Sequence, residues 1–108
     1  SPDPPKLNVS LQQAEREGGL ARVMVTARLE APADAKLAVH AKKPMGPWQS
    51  YPLKSMGPGG WFVLLELNMP AGAPLRWYVT AEFEFKGRRA RIRQGTKVSP
   101  QKFTLPRP

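Results

Sequence analysis

The chain has 108 residues, of which 41% are hydrophobic, so its length and composition predict a single domain with a core and argue against wholesale disorder. Its 17 Lys and Arg outnumber 8 Asp and Glu, and the net charge of +9 favours anionic partners such as nucleic acid, acidic polysaccharide or lipid headgroups. The lack of cysteine excludes a disulfide framework and a thiolate metal site, and no apolar run is long enough to span a membrane.

Alternating apolar residues predict the first strands of the chain. Residues 6–11 (KLNVSL) indicate a weak strand, and residues 20–29 (LARVMVTARL) and 35–42 (AKLAVHAK) indicate half-buried strands, because every second side chain is apolar. The segment QSYPLKSM (49–56) predicts a short edge strand, since Pro52 cannot donate a hydrogen bond to a central ladder.

The second half of the chain continues this alternation. Residues 61–69 (WFVLLELNM) and 75–85 (LRWYVTAEFEF) are aromatic and aliphatic with period two, and QKFTL (101–105) predicts a weak last strand. Breaks rich in Gly and Pro separate the runs at 17–19, 31–34, 43–47, 57–60 and 70–74. Seven or eight short strands at this spacing predict an all-β fold, a single antiparallel β-sandwich.

The segment EFEFKGRRARIRQ (82–94) places four arginines within six positions. If Lys86 and Gly87 form a two-residue type I′ turn, apolar pairs fall on the core side and Glu–Arg pairs on the solvent side. The expected pairs are Phe85 with Arg88, Glu84 with Arg89, Phe83 with Ala90, Glu82 with Arg91, and Ala81 with Ile92. We therefore interpret the segment as a strand first and as a binding surface second.

Three cations have no obvious partner in this arrangement. Arg88, Arg93 and Lys97 are the candidates for contacting a polyanion, with an affinity that depends on salt through counterion release. No recognition helix or nucleic-acid motif accompanies them, which argues against sequence-specific nucleic-acid binding. The alternative is that the hairpin is only a solvated strand.

Catalytic chemistry is not indicated. His40, the one histidine, alternates onto the solvent face between Lys36 and Lys42, and no G-x-S-x-G motif is present. Glu82 and Glu84 lie opposite arginines, so they do not form an acid–base pair. One histidine and scattered acids are also a poor set of metal ligands. The sequence therefore predicts a non-enzyme with no catalytic residue, metal or cofactor.

The tryptophans divide into two groups. Trp61 and Trp77 share faces with apolar neighbours, which predicts that both pack in the core. Trp48 lies with Tyr51 in or beside a Pro- and Lys-rich segment, and exposed rings on a β-sandwich stack on sugars or bases. The alternative for Trp48 is a lid folded back over the core.

Some apolar side chains are expected to point outward. Phe62 and Leu64 alternate away from the face of Trp61, and Tyr78 also falls on an outward face. Apolar side chains on the outer face of a central strand indicate that a neighbouring domain or a partner covers them. We expect Phe62, Leu64 and Tyr78 to form one outward, protein-binding patch.

Nearly the whole chain resembles bacterial immunoglobulin-like or fibronectin-type-III-like modules, through the succession VMVTARLE, LAVHAKKPMGPWQSYPL, GGWFVLLELNMPAGAPLRWYVTAEFEFKGRRARI and SPQKFTL. A Trp after the third strand, then L-x-W-Y-V-x-A leading to a tight charged hairpin, is the shared pattern. The resemblance implies an all-β, immunoglobulin-like sandwich of about seven strands over residues 6–105, between a proline-rich linker (1–5) and a tail (106–108).

The same resemblance implies a periplasmic or cell-surface location in a multidomain envelope or secreted protein, with an adhesive or spacer role. The arginine-rich hairpin departs from the Asp-Gly-Asn type of turn that such modules usually carry. The opening SPDPP indicates a piece of a longer chain, whose Pro-rich ends hold the module at a distance from its neighbours.

A weaker resemblance is to starch- and glycogen-binding sandwich modules, which also show a Trp, a short loop and a run such as WFVLLEL. Their sugar platform usually combines two exposed tryptophans with a lysine. By this resemblance Trp48, Tyr51 and a nearby lysine such as Lys43 are the carbohydrate-binding candidates.

Three functional hypotheses follow. The preferred one is a non-catalytic module that docks a protein or a neighbouring domain, or spaces its neighbours, within a bacterial envelope assembly. The alternatives are carbohydrate binding through Trp48 and Tyr51, and polyanion binding through the Arg-rich hairpin. Each hypothesis names a different surface, so the fold decides which of these residues come together.

Overall fold

The computed structural model describes residues 5–30 and 34–107. Within these two stretches the fold is all-β, as the sequence predicts: nine strands and no helix form two antiparallel sheets. The strands are β1 Asn8–Glu17, β2 Leu20–Arg28, β3 Lys36–Lys42, β4 Trp48–Pro52, β5 Lys54–Ser55, β6 Gly60–Asn68, β7 Pro74–Phe85, β8 Arg88–Gln94 and β9 Gln101–Thr104. No helix long and apolar enough to cross a membrane occurs in the described part of the chain.

The two sheets differ in width. The four-stranded sheet has the order β1-β2-β6-β5, and the five-stranded sheet has the order β4-β3-β7-β8. β9 also pairs with β7: β3 takes one edge of β7, while β8 and β9 follow one another along its other edge. β8 and β9 thus together form one edge of the sheet, and a loop separates them.

The strand count exceeds the expected seven or so because the predicted edge strand 49–56 is divided between the sheets. β4 forms an edge of the five-stranded sheet and β5 an edge of the four-stranded one. Leu53 lies between them with its side chain buried, and its N–H donates to the carbonyl of Leu37 at 2.9 Å. The chain crosses from one sheet to the other at this residue.

The first strand also differs from the prediction. The sequence indicates a strand over 6–11, whereas β1 continues to Glu17 and pairs with β2 across a turn at Gly18. A register shift between Gln13 and Glu15 interrupts the alternation, so side-chain periodicity fails here while backbone pairing continues.

One hydrophobic core lies between the two sheets, which gives a β-sandwich-like architecture. Trp61 of the four-stranded sheet and Trp77 of the five-stranded sheet are both buried, as predicted. The largest side chain with no exposure is Phe83, on the inward face of β7. Leu105 is buried beyond β9, and Leu7 packs against the core before β1.

The hairpin of β7 and β8 has the predicted register at every expected pair. Lys86 and Gly87 have φ values of 54° and 76°, as a type I′ turn requires. Arg89 and Arg91 both approach Glu82, at 3.8 and 3.6 Å. The arginines of the hairpin are thus partly neutralised across the strands.

Several expectations fall on residues outside the described part of the chain. Only Pro5 of the predicted linker (1–5), Asp34 of the predicted turn (31–34), and Pro106 and Arg107 of the tail are described. The linker and the domain boundaries therefore stay predictions.

Candidate functional site

The outer face of the five-stranded sheet carries a row of three cations and a tryptophan. The registers of the four strands place Trp48 opposite Lys42, Lys42 opposite Arg76, and Arg76 opposite Lys102. The next residue along β7, Trp77, is buried, so Arg76 and its partners lie on the side away from the core. Neighbouring strands are about 4.8 Å apart, so the row spans about 14 Å.

A loop turns this row into a concave site. Residues 97–100, between β8 and β9, line the same pocket of about 400 Å³ as Trp48 and the three cations. Lys97 thereby joins Lys42, Arg76 and Lys102. We call the set Lys42, Trp48, Arg76, Lys97 and Lys102 the basic trough.

The charges of the basic trough are not neutralised by the protein. Among the described residues, no acidic side chain lines the pocket, and none of the four cations is in an ion pair. Like charges directly opposite each other in a sheet are destabilising. The repulsion among three cations in one row therefore lowers the stability of the free protein. An anionic ligand would reduce this repulsion.

Stacked rings lie beside the trough. His40 and Tyr78, opposite each other on β3 and β7, stack with their centroids 4.4 Å apart, and Trp48 makes an edge contact with Tyr78 at 5.3 Å. The His40 ring is held by two hydroxyls: Nδ1 lies 2.7 Å from Ser50 Oγ, and Nε2 lies 2.9 Å from Thr80 Oγ1. His40 thus anchors Tyr78, and Tyr78 supports Trp48.

Ser50 and His40 form a hydroxyl–imidazole pair on the outer face of the sheet. Burial, and then the positive charge of Arg91, lower the pKa of His40 below its ordinary value. In a Ser-His-Asp triad a carboxylate orients the ring and stabilises the imidazolium, whereas here the second nitrogen contacts the hydroxyl of Thr80. The two hydroxyls therefore fix the orientation of the His40 ring, on which Tyr78 stacks. The described residues contain no group of three His, Cys, Asp or Glu side chains placed to hold a metal ion.

The fold separates the predicted carbohydrate site. Trp48 lies on the outer face and in the basic trough, whereas Tyr51 packs against the core. Three positions apart on one strand, the two rings point to opposite faces. Lys43 lines a different pocket together with Tyr51, between the loop at 43–47 and the end of the core. The alternative of Trp48 as a lid over the core is wrong, since the ring contacts Tyr78 on the outer face.

The predicted polyanion residues are also divided. Arg93 pairs with Thr80 on the outer face, while Arg88 pairs with Phe85 at the hairpin tip, on the opposite face of the same strand. Lys97 lies in the basic trough. Arg88 and Arg93 are five positions apart, and this odd spacing along a strand places them on opposite faces.

The predicted docking residues lie on two different sheets. Phe62 and Leu64 are on the outer face of the four-stranded sheet, where Leu64 is directly opposite Met24. Tyr78 is on the outer face of the five-stranded sheet, beneath Trp48 and His40. The three residues therefore do not form one patch.

The sequence did not single out Arg76 and Lys102. Their alternation marks them as outward-facing, but only the pairing of β7 with both β3 and β9 brings them beside Lys42. The signal that was available is the isolation of Arg76 from any acid within five residues on either side.

Comparison of this chain with protein-family models, with characterised proteins and with solved structures finds no match. The resemblance to immunoglobulin-like modules stays a prediction.

We expect Arg76→Gln to stabilise the free protein, because it removes the central charge of the row. The gain in the free energy of unfolding should be roughly 0.2–1 kcal/mol at low ionic strength and should shrink in high salt. Chemical denaturation at two salt concentrations measures it. Arg91→Gln is the matched control: it removes an outward arginine that contacts Glu82, so it should give no gain. An equal change in the free energy of unfolding for the two variants would contradict the claim that the cations of the row repel one another.

We expect a pH dependence of stability from His40. Because the folded protein lowers the pKa of this ring below its ordinary 6.5, the unfolded chain binds more protons below that value. The free energy of unfolding should therefore fall as the pH drops below about 6.5 and level off beneath the lowered pKa. Denaturant midpoints for the wild type and for His40→Gln, measured between about pH 7 and pH 5, test this. The wild type should lose more stability than the variant, and parallel curves would refute the assignment.

Proposed function

We propose that this chain is a non-catalytic, immunoglobulin-like module that binds a polyanion through the outer face of its five-stranded sheet. The basic trough is the observation that carries the proposal: four cations without an acidic partner converge on one concave site beside an aromatic ring. The docking role preferred from the sequence becomes the second candidate, because its predicted patch is divided between two sheets.

The strand order supports the immunoglobulin-like assignment. In immunoglobulin domains the sheets have the orders ABED and CFG, the latter with an added C′ strand in some types. The orders β1-β2-β6-β5 and β4-β3-β7-β8 correspond to ABED and C′CFG. In this assignment β9 is a second segment of strand G, since it continues along the same edge of β7.

The charge of the whole outer face supports polyanion binding. Cations outnumber acids on this face by eight to two among the described residues. The cations are Lys36, Lys42, Arg76, Arg89, Arg91, Arg93, Lys97 and Lys102, and the acids are Glu82 and Glu84. Both arginines that reach an acid, Arg89 and Arg91, reach Glu82, at the hairpin end of the face. The trough end thus retains the larger uncompensated positive field, which attracts anions over several ångströms.

The resemblance of the sequence to immunoglobulin-like modules supports a place in a multidomain envelope or secreted protein. A module of this type in a multidomain envelope or secreted protein would hold its neighbours in place and attach them to an anionic surface polymer. Both roles use binding alone, which agrees with a His40 ring that is held by two hydroxyls.

The salt dependence of binding tests the proposal. A labelled, sulfated oligosaccharide and a deoxythymidine oligomer, titrated by fluorescence anisotropy at several salt concentrations, should both bind more weakly as salt rises. Each anionic group contacted contributes roughly 0.7–0.9 to the slope of log K against log salt, so four contacts predict a slope of about −3. A slope near zero, or no binding, would overturn the proposal.

A matched pair of variants locates the site in the same titration. The double substitution Lys42→Gln with Lys102→Gln should reduce the magnitude of the slope by about 1.5, because two contacts are lost. The double substitution Lys6→Gln with Lys54→Gln removes two exposed lysines that lie outside the trough and should leave the slope unchanged. If both proteins lose the same amount of affinity, the attraction comes from net charge alone and not from the trough.

A second candidate function is docking of a protein or neighbouring domain on the four-stranded sheet. The observation that favours it is an apolar cluster on the outer face. Leu64 is 40% exposed opposite Met24, Phe62 lies two residues away on the same face, and the 50% exposed Met56 side chain lies over Gly60. Apolar groups that are adjacent on an outer face mark a contact surface.

Charge substitutions on the two faces distinguish this candidate. We expect Leu64→Asp to abolish retention of a specific partner in pull-downs from the source cells, because a carboxylate would have to be desolvated in the contact. Lys36→Asp, an exposed position on the other sheet, is the control and should retain the partner. Equal retention by both variants would remove the four-stranded face from consideration.

A further inference from the structure

The loop between β8 and β9 is an insertion opposite a single residue. Val79 pairs with Gln94, and Trp77, two residues earlier on β7, pairs with Gln101. Residues 95–100 therefore stand opposite Tyr78 alone, where a continuous strand would place one residue. The loop thus adds five residues without changing the register on either side.

The inserted loop is tied to itself and to the sheet. The N–H of Thr96 donates to the carbonyl of Ser99 at 3.1 Å, and the N–H of Ser99 donates to Thr96 Oγ1 at 2.9 Å. Gly95 has φ 81°, and a Cβ at this position would lie 3.1 Å from Cβ of Tyr78. The loop therefore packs directly on the residue it stands opposite, and its tip presents Lys97 and the fully exposed Val98.

This loop forms one wall of the basic trough. Trp48, on the far edge strand of the sheet, lines the opposite side, and Lys42, Arg76 and Lys102 lie in the row between them. Strand spacing separates Trp48 from β9 by about 14 Å. A concave site of about 400 Å³ suits one unit of a polymer better than an extended surface contact.

The ring and the cations together restrict the ligand. An edge contact with Tyr78 uses at most one face of the Trp48 indole, so a face remains for stacking on a sugar or a base. The three cations of the row stand on neighbouring strands about 4.8 Å apart, which suits a ligand with several closely spaced anionic groups. The two chemistries that the sequence assigned to separate sites, sugar stacking at Trp48 and anion binding at Lys97, occur here in one pocket.

A single-stranded nucleic acid fits this arrangement less well. Proteins that bind single strands provide successive rings on which successive bases stack. Here the other two rings of the face, His40 and Tyr78, stack on each other, and both nitrogens of His40 contact hydroxyls. One available indole beside four cations matches a single sugar ring with acidic substituents.

We propose that the basic trough binds one unit of an acidic glycan, a sugar polymer that carries carboxylate, sulfate or phosphate groups. The sugar ring stacks on Trp48, the cations of the row hold its anionic groups, and the inserted loop supplies Lys97 and closes the site. The proposal rests on polyanion binding as the function of this face and adds the class of ligand and the role of the loop.

Calorimetric titration with five probes tests it. The probes are a sulfated glycosaminoglycan oligosaccharide, an oligogalacturonate, a neutral maltooligosaccharide, a deoxythymidine oligomer of matched charge, and vesicles that contain phosphatidylserine. Both acidic oligosaccharides should bind more tightly than the oligonucleotide and the vesicles, and the neutral sugar should not bind. A difference in affinity between the sulfated and the carboxylated probe identifies which acidic group the trough prefers.

Three variants separate stacking from charge. Trp48→Ala should weaken the binding of the acidic oligosaccharides roughly tenfold, because a stacking contact of about 1.4 kcal/mol is lost. Trp48→Phe keeps an aromatic ring and should retain most of the affinity. Deletion of residues 96–100 keeps Gly95 opposite Tyr78 and joins the two ladders, so the protein should fold and bind anions without preference for glycans. Chemical denaturation confirms that each variant is folded.

The outcomes distinguish this proposal from the one on which it rests. Equal affinity for all matched polyanions, with no effect of Trp48→Ala, would overturn glycan recognition and leave polyanion binding intact. Tighter binding of the oligonucleotide or the vesicles would also overturn it. Failure of every anionic probe, or equal binding of the neutral sugar, would overturn both.

Discussion

The pairing of β7 along both of its edges is the constraint on which the core and the basic trough both depend. β3 lies on one edge and β8 and β9 on the other, so a single register aligns four strands. Inward residues such as Trp77 and Phe83 are buried by this register, and the residues between them are sent outward. A shift by one residue would bury Arg76 and expose the core, so the burial of the tryptophan fixes the position of the cation beside it.

The positive charge of the protein is distributed unevenly between the two outer faces. On the four-stranded sheet Arg22 pairs with Glu15, and the hydrogen bond to that carboxylate, with the charges of Glu66 and Glu17 also nearby, raises the pKa of the guanidinium. Arg22 is therefore neutralised where it stands. On the five-stranded sheet the ion pairs of the described residues involve only Glu82, at the hairpin end. Most of the net charge of +9 thus lies on the outer face of the five-stranded sheet.

Sequence alone predicted what depends on neighbouring residues. The hairpin register followed from one Lys-Gly turn and the alternation on both sides, and the burial of Trp61 and Trp77 followed from their apolar faces. The trough could not be predicted in the same way, since Lys42, Arg76 and Lys102 belong to three strands whose relative register is set by packing over long sequence separations. The crossing at Leu53 was hidden for a similar reason: the choice between two sheet edges depends on the finished core and not on local propensity.

The position of the inserted loop separates sequence change in the loop from sequence change in the scaffold. All five extra residues stand opposite Tyr78, and the ladder resumes at Trp77, two residues before Val79 on β7. The length and sequence of the loop are therefore free of the constraints on strand pairing. Related chains with different insertions at this point would share one framework and present different walls to a ligand. For protein engineering, the interval between Gly95 and Gln101 is a natural graft point, in which a library of loops can be displayed next to a fixed tryptophan and a fixed row of charges.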